Sequence, residues 1–315
     1  MRQFVLRRLA LMVPTLFLAV TAVFILVRII PGDAVTLLLD SSQYSKQDAD
    51  AIREQLGINE SIPVQYEKFL KQVVTGDFGV SIWSGQDVMD TLLKDRLPIT
   101  LELTFFATLF GILLGVPAGI VAALRQDSLW DYVVRTIGIG GLSVPGFWLA
   151  TMVLVLPAFW WGWTLPIGYK TFAEDASKHV QQILVPALVM SVALAAVLMR
   201  MTRSMMLEVL RQDFVRTARA KGLAGRVVIV RHCLRNAMLP LVSIVGVQVA
   251  VLLAGTVIYE TVFTLPGVGS YLYEGVARRD YPVVQGVTVM LTVGVIFLNL
   301  IIDVSYPIID PRVRV

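Results

Sequence analysis

The sequence predicts an all-α integral membrane protein with six transmembrane helices and a helical extracytoplasmic loop after the first of them. Of its 315 residues, 56% are hydrophobic and only 16% are charged, and the mean hydropathy is +0.73. Soluble domains average about 45–50% apolar and about 25% charged residues. The apolar residues also gather into uncharged runs of about 20 residues, the length at which a helix crosses the hydrocarbon core. These two observations exclude a soluble globular chain.

Six uncharged runs have the required length, and each must form a helix because lipid cannot satisfy the backbone hydrogen bonds of an irregular segment. They are Leu9–Val27, Leu103–Leu124, Thr136–Trp161, Ile183–Met199, Asn236–Tyr259 and Tyr281–Ile302. The first run is longer than the apolar region of a signal peptide, and no small-x-small cleavage site follows it. We therefore expect it to be a retained membrane helix.

The distribution of basic residues predicts the orientation, since Lys and Arg collect on the cytoplasmic side. Basic residues dominate the N-terminus and the segment 200–235, whereas the segment 31–98 is acidic. We expect both termini and the 200–235 loop to be cytoplasmic. The predicted order is an N-terminal end with the first helix (1–30), an outer loop (31–98), a helix bundle (99–304) with a cytoplasmic loop at 200–238, and a cytoplasmic tail (305–315).

The outer loop reads as two short helices. Ser45 is placed to cap a helix that runs to Leu56 and stops at Gly57, and a second helix is expected to begin at Pro63. The second helix would carry apolar side chains at helical spacing, namely Tyr66, Phe69, Leu70 and Val73. Loops longer than about 12–15 residues are usually functional. We expect this one to dock or gate an extracytoplasmic protein; the alternative is a solvated cap without a partner.

The sequence contains no recognisable nucleotide-binding, metal-binding or catalytic motif. The sequence lacks Gly-x-x-x-x-Gly-Lys-Ser/Thr, so this chain does not hydrolyse ATP through a P-loop. His179, His232 and Cys233 do not combine with carboxylates at metal-ligand spacing. Gly141-Leu-Ser143 resembles the setting of a nucleophile, but no histidine lies in a predicted membrane helix to activate it. We expect no enzymatic activity and no cofactor or metal bound by this chain.

Polar groups within the apolar runs are few. The ionisable residues Arg28, Glu102, Glu260 and Asp303 lie at the ends of runs, where we expect them to reach the headgroups. Gln248 and Asn299 lie deeper. A hydrogen bond between helices is the favoured interpretation of these two residues, and a place on a substrate path is the alternative.

The segment 213–240 is the most informative part of the sequence. It predicts a helix capped by Asp213, a stop at Gly222, and a second helix that returns to the membrane. One apolar stripe is expected on the first helix, formed by Leu207, Leu210, Phe214 and Ala218. Such a helix lies on the membrane surface or in the groove of a partner.

The order of residues in this segment resembles a known signature. Arg216-Thr-Ala-Arg-Ala-Lys-Gly222, followed by Arg231-His-Cys-Leu-Arg-Asn-Ala237 and Pro240, resembles the loop of permease subunits of binding-protein-dependent ABC importers. The wider importer pattern has Glu at the place of Arg216 and proline at the place of Arg235. Both departures are typical of the dipeptide, oligopeptide and nickel branch, which includes glutathione importers.

Further motifs extend the resemblance over nearly the whole chain, and the first-permease (B-type) form with its long outer loop matches best. They are Pro31-Gly-Asp33, Gln55-Leu-Gly57, Gly76–Ser81, Pro98–Leu103, Glu260–Phe263, Pro266–Gly269, Arg279–Gln285 and Asp303–Pro311. The resemblance implies the architecture of a type I ABC importer permease in a bacterial inner membrane.

The resemblance also implies function and partners. A second permease subunit would complete the pore, two ABC ATPase subunits would hold ATP and Mg, and an extracytoplasmic binding protein would deliver the substrate; membrane lipid surrounds the chain, and no nucleic acid is expected. The implied ATPase-coupling residues are Asp213, Phe214, Arg216, Thr217, Ala218, Arg219, Lys221, Gly222 and Leu223. Di- or oligopeptides are the expected cargo, with nickel or glutathione as alternatives. A self-sufficient carrier or channel, or a structural scaffold, is the alternative class.

Overall fold

The computed structural model describes residues 2–29, 54, 57 and 59–309, most of which are helical. The helices are α1 (Arg2–Ile29), α2 (Ile62–Thr75), α3 (Val88–Leu124), α4 (Leu129–Ser143), α5 (Gly146–Trp161), α6 (Ala176–Leu210), α7 (Asp213–Ala220), α8 (Arg235–Val262), α9 (Val268–Ala277) and α10 (Tyr281–Ile309). Wider π-helical turns lie within α3 at Thr91–Arg96 and before α8 at Val228–Leu234.

Five of the described helices, α1, α3, α6, α8 and α10, are long and apolar enough to cross a membrane. Helices α4 and α5 are together long and apolar enough for a sixth span, but they are bent by 96° at the break between them. The prediction of one continuous helix over Thr136–Trp161 is therefore wrong in its middle. Val144 is extended (ψ 123°) because the residue before a proline is pushed out of the helical region, and Pro145 follows it.

The chain divides into two units, residues 1–100 with 266–297 and residues 101–265 with 298–315. In the first unit, Phe24 of α1 packs against Tyr66 and Phe69 of α2, with ring centroids 5.1 and 5.6 Å apart. The hydroxyls of Thr21 and Tyr66 are 2.7 Å apart. Helix α2 confirms the second predicted helix of the outer loop. The first, over 45–56, lies outside the described residues apart from Glu54.

A turn of the outer loop is fastened to the connection between α9 and α10. The Ser81 hydroxyl donates to Oδ2 of Asp280 at 2.7 Å, and the Trp83 indole donates to the carbonyl of Arg278 at 3.0 Å. Ser81 and Asp280 are both buried. Two motifs that are 199 residues apart in the sequence therefore meet in one place.

In the second unit, α3 and α6 approach closely along a row of glycines. Gly111, Gly115 and Gly119 recur every fourth residue and so share one face of α3. A Cβ at Gly115 would lie 2.5 Å from the carbonyl oxygen of Ala195, and one at Gly119 would lie 2.6 Å from that of Met199. Small residues with this spacing allow membrane helices to pack backbone to backbone.

Helix α4 packs on the same helix α6. A Cβ at Gly138 would collide with Cε of Met199, and one at Gly141 would lie 3.2 Å from Val192. Gly140 faces open space. Gly138 and Gly141 therefore pack against α6, whereas Gly140 does not.

Candidate functional site

The loop between α6 and α8 contains every predicted coupling residue, and α7 is its central element. Helix α6 ends at Leu210, and α7 begins at Asp213 after Gln212, whose backbone is extended (ψ 151°). Asp213 is thus the first residue of α7 and not its cap, which corrects the prediction. Its carboxylate is 94% exposed and lies 3.6 Å from Arg216. A negative charge in the first turn still interacts favourably with the positive end of the helix dipole.

The buried face of α7 consists of Val215 and Ala218. Both belong to an apolar cluster beneath the loop, whose other buried members are Ala123, Met206, Val209, Val228, Cys233 and Ala237. This cluster is what holds α7 in place, because its burial removes apolar surface from water or headgroups.

The predicted stripe of Leu207, Leu210, Phe214 and Ala218 is wrong as one face of one helix, although Leu207, Leu210 and Ala218 all pack in the apolar cluster beneath the loop. Leu207 and Leu210 belong to α6, and the break before Asp213 restarts the helical register. Phe214 is consequently 37% exposed, while Val215 takes the buried position. A periodicity counted through the break could not have identified Val215.

The remaining predicted coupling residues form the exposed side of this loop. Eight of them are exposed, namely Asp213, Phe214, Arg216, Thr217, Arg219, Lys221, Gly222 and Leu223. Only Ala218 is buried among the nine. The loop therefore presents cationic and apolar side chains outward from a rigid apolar base.

The turn after α7 is a Schellman motif around Gly222. Its N–H donates to the carbonyl of Arg219 at 3.0 Å, and the N–H of Leu223 donates to that of Ala218 at 3.4 Å. Gly222 has φ +76°, a left-handed conformation that glycine adopts at low cost. The predicted glycine stop is confirmed, and a helical turn at Gly225–Val227 restarts the chain towards α8.

Cys233 lies under the loop in a fully buried position. Burial raises the pKa of its thiol, which outweighs the opposing effect of Arg219. A thiol held in the protonated state is a poor nucleophile and a poor metal ligand. Among the described residues, no three His, Cys, Asp or Glu side chains come together as a metal site.

The polar residues of the membrane helices occupy different environments. Gln248 is half-buried and Asn299 is exposed, and neither forms a hydrogen bond with another described residue, so the favoured interhelical bond is not found. Glu260 is fully buried, which contradicts the expectation that it reaches the headgroups. Nε2 of His179 lies 2.9 Å from Oε1 of Glu102, so the two side chains are hydrogen-bonded.

One ion pair was not foreseen from the sequence. The guanidinium of Arg203 on α6 binds both carboxylate oxygens of Asp131 on α4 at 2.7 Å. Asp131 has no exposed surface. The signal in the sequence is an acid in the first turn of a largely apolar helix, and its partner lies 72 residues away.

Comparison with known proteins places the chain in a family. The family model described as "Binding-protein-dependent transport system inner membrane component" matches residues 115–315, and its N-terminal companion matches residues 1–104. In solved structures, the MetNI methionine ABC transporter in inward-facing conformations resembles the chain with TM-scores of 0.55 and 0.57 at 18% identity. These alignments cover 70% of this chain and 98% of the other.

Full-length relatives agree with the family model. The chain is 36% identical to the "Di/tripeptide transport system permease protein DppB" of Pseudomonas aeruginosa (strain UCBPP-PA14), covering 100% of this chain and 99% of that protein. It is 36% identical to the "Oligopeptide transport system permease protein AppB" of Bacillus subtilis (strain 168), with 100% of both covered. The resemblance seen in the loop motif thus holds over the whole length, and the chain belongs to the family of binding-protein-dependent transport system inner membrane components.

Proposed function

We propose that this chain is a B-type permease subunit of an ATP-driven importer for di- and oligopeptides in the bacterial cytoplasmic membrane. The observation that carries the proposal is full-length identity of 36–37% to proteins whose names specify dipeptide, di/tripeptide or oligopeptide transport. Peptide cargo is preferred to nickel or glutathione on this ground.

Coupling to ATP hydrolysis is proposed to pass through α7. This helix is short and held by a buried apolar base, and its far side is exposed. A groove on an ATPase subunit could therefore receive it without unfolding anything. The proposed contact residues are Asp213, Phe214, Arg216, Thr217, Arg219, Lys221, Gly222 and Leu223, with Ala218 as support from beneath.

The proposed partners are a second permease subunit, two ATPase subunits that bind ATP and Mg, and an extracytoplasmic binding protein. Both termini would be cytoplasmic, as the basic residues indicate. The outer loop 31–98 is the proposed contact for the binding protein, and the buried hydrogen bond between Ser81 and Asp280 holds one of its turns in place. Gln248 and Asn299 stay candidates for the substrate path.

The partner proposal is tested by extraction of the tagged chain from its host membrane in mild detergent. Mass spectrometry should find a second permease and one or two P-loop ATPases, with the ATPases lost in Gly222→Val and retained in Gly225→Val. Recovery of a homo-oligomer without any ATPase would overturn the proposal and favour an autonomous carrier.

The cargo is tested separately in proteoliposomes that contain the complete complex with its binding protein. We expect ATP-dependent uptake of a radiolabelled di- or tripeptide, and excess unlabelled peptide should compete while Ni²⁺ or glutathione should not. ATP-dependent uptake of nickel or glutathione without uptake of peptide would refute the cargo and leave the permease assignment intact.

A further inference from the structure

A groove on the second unit runs along α6 where α3 and α4 meet it. It consists of two adjoining cavities of about 300 and 280 Å³, which share Gly138, Ala196 and Met199 in their walls. The first cavity is apolar and is lined by residues such as Leu114, Ala118, Val134, Ile137 and Val192. The second cavity leads from there towards the end of α6 that continues into α7.

The lining of the second cavity is cationic. Arg135, Arg200 and Arg203 contribute to its wall. Asp131 neutralises Arg203 through its two short hydrogen bonds. One carboxylate therefore serves three arginines, and the end of the apolar groove keeps a net positive charge.

The described part of the protein does not fully compensate the positive charge of either Arg135 or Arg200. Nε of Arg135 lies 3.5 Å from Asp131, is buried, and makes no hydrogen bond within the described chain. Its guanidinium instead stacks on the ring of Tyr132 at 4.7 Å. Arg200 is exposed, and no carboxylate of the described residues pairs with it. Three arginines against one carboxylate leave this end of the groove with an excess of two positive charges, which a bound anion would compensate.

We propose that this groove binds one anionic phospholipid, with an acyl chain in the apolar cavity and the phosphate on Arg135 and Arg200. Guanidinium groups match the geometry of phosphate oxygens, and basic pockets between membrane helices select anionic headgroups. A transmembrane helix of a partner would fill the apolar part but would leave both charges uncompensated. A zwitterionic lipid has a cationic group next to its phosphate, and the arginines would repel that group. The site concerns lipid and is independent of the proposed cargo.

The test uses the complete complex purified from its host membrane and reconstituted into phosphatidylcholine nanodiscs. Electron spin resonance then compares the motionally restricted fraction of spin-labelled phosphatidylglycerol with that of spin-labelled phosphatidylcholine. We expect the wild type to prefer phosphatidylglycerol. Arg135→Gln and Arg200→Gln should each lower the preference, by about fivefold per arginine, and the double variant should abolish it.

Two further variants separate the groove from the general charge of the surface. Arg211→Gln removes an exposed arginine at the end of the same helix but outside the cavity, and it should leave the preference unchanged. Ala118→Leu fills the apolar cavity and should lower the restricted fraction of phosphatidylglycerol, although no charge is altered.

Three results would overturn the proposal. These are no preference for phosphatidylglycerol in the wild type, a preference that survives the double arginine substitution, and equal effects of Arg211→Gln and Arg200→Gln. If the first result arises because both labelled lipids are excluded from a restricted site, a protein helix in the groove is favoured instead. Unfolding temperatures close to that of the wild type would establish that the variants are folded.

Discussion

Arg203 binds Asp131 through two parallel hydrogen bonds, from Nε to Oδ1 and from Nη2 to Oδ2, each 2.7 Å long. The backbone N–H of Asp127 also donates to Oδ2 at 3.0 Å. The carboxylate has no exposed surface, and the arginine side chain is 19% exposed. This pair joins the first turn of α4 to α6, at the opposite end of α4 from the bend at Val144.

Breaking this pair should destabilise the protein strongly. Asp131→Asn leaves Arg203 without its counter-charge in a mostly buried site, and loss of one partner from a buried pair costs about 3–5 kcal/mol. Thermal unfolding of the purified protein in detergent should show a clearly lower midpoint. Asp213→Asn is the control, since Asp213 is 94% exposed and should give the wild-type midpoint. Equal midpoints for the two variants would contradict a structural role for the pair.

The glycine row on α3 should tolerate no larger side chain. Gly115→Ala puts a methyl group 2.5 Å from the carbonyl oxygen of Ala195, so α3 and α6 must separate. Overpacking of this kind costs about 1–3 kcal/mol. The measurement is the fraction of monodisperse protein after detergent extraction. Gly140→Ala, where a Cβ meets nothing within 4 Å, should behave like the wild type; an equal loss in both variants would argue against close packing at Gly115.

Gly222 should be required for coupling and not for insertion. Gly222→Val forces a β-branched residue to φ +76°, where even ordinary residues are disfavoured by about 1–2 kcal/mol. We expect substrate-stimulated uptake to be lost while the protein stays in the membrane, and deletion of Asp213–Leu223 should do the same. Gly222→Asn should retain partial activity, because asparagine adopts this conformation more readily.

The matched control for Gly222 is Gly225→Val. Gly225 lies three residues away, a Cβ there meets no atom within 4 Å, and its φ is not positive. Uptake and substrate-stimulated ATP hydrolysis should both stay close to wild type in this variant. Normal uptake in Gly222→Val would remove the basis for placing the coupling element at this turn.

The rate at which the Cys233 thiol is labelled should show whether the loop around α7 is folded over it. Its thiol is buried and its pKa is raised, so the thiolate that reacts with maleimide is scarce at neutral pH. We expect slow labelling that accelerates as the pH rises or the loop opens. Lys221→Cys in a Cys233→Ala background is exposed and should label much faster. Similar labelling rates for the two cysteines at neutral pH would contradict the burial of Cys233.

Structural elements that depend on a few neighbouring residues could be predicted from the sequence. Gly222 could be predicted to end a helix because a left-handed residue after a helix is a property of a few neighbouring positions. The helix around Tyr66 and Phe69 followed from apolar spacing within 14 residues. The bend at Val144 was equally local, since Pro145 restricts the residue before it, yet an uncharged run of this length concealed it.

Features that join distant segments required the tertiary structure. The pairing of Asp131 with Arg203 and of Ser81 with Asp280 spans 72 and 199 residues, and no periodicity connects such positions. Burial of Val215 in place of Phe214 depended on where α6 stops. By itself, the sequence determined the membrane class, the positions of the apolar spans (though not the bend in the third) and the family, because these follow from hydropathy and from the order of motifs along the chain. The buried charges and the exposed face of α7 were decided only by packing, because the free energy of a side chain depends on the atoms that surround it in the folded protein.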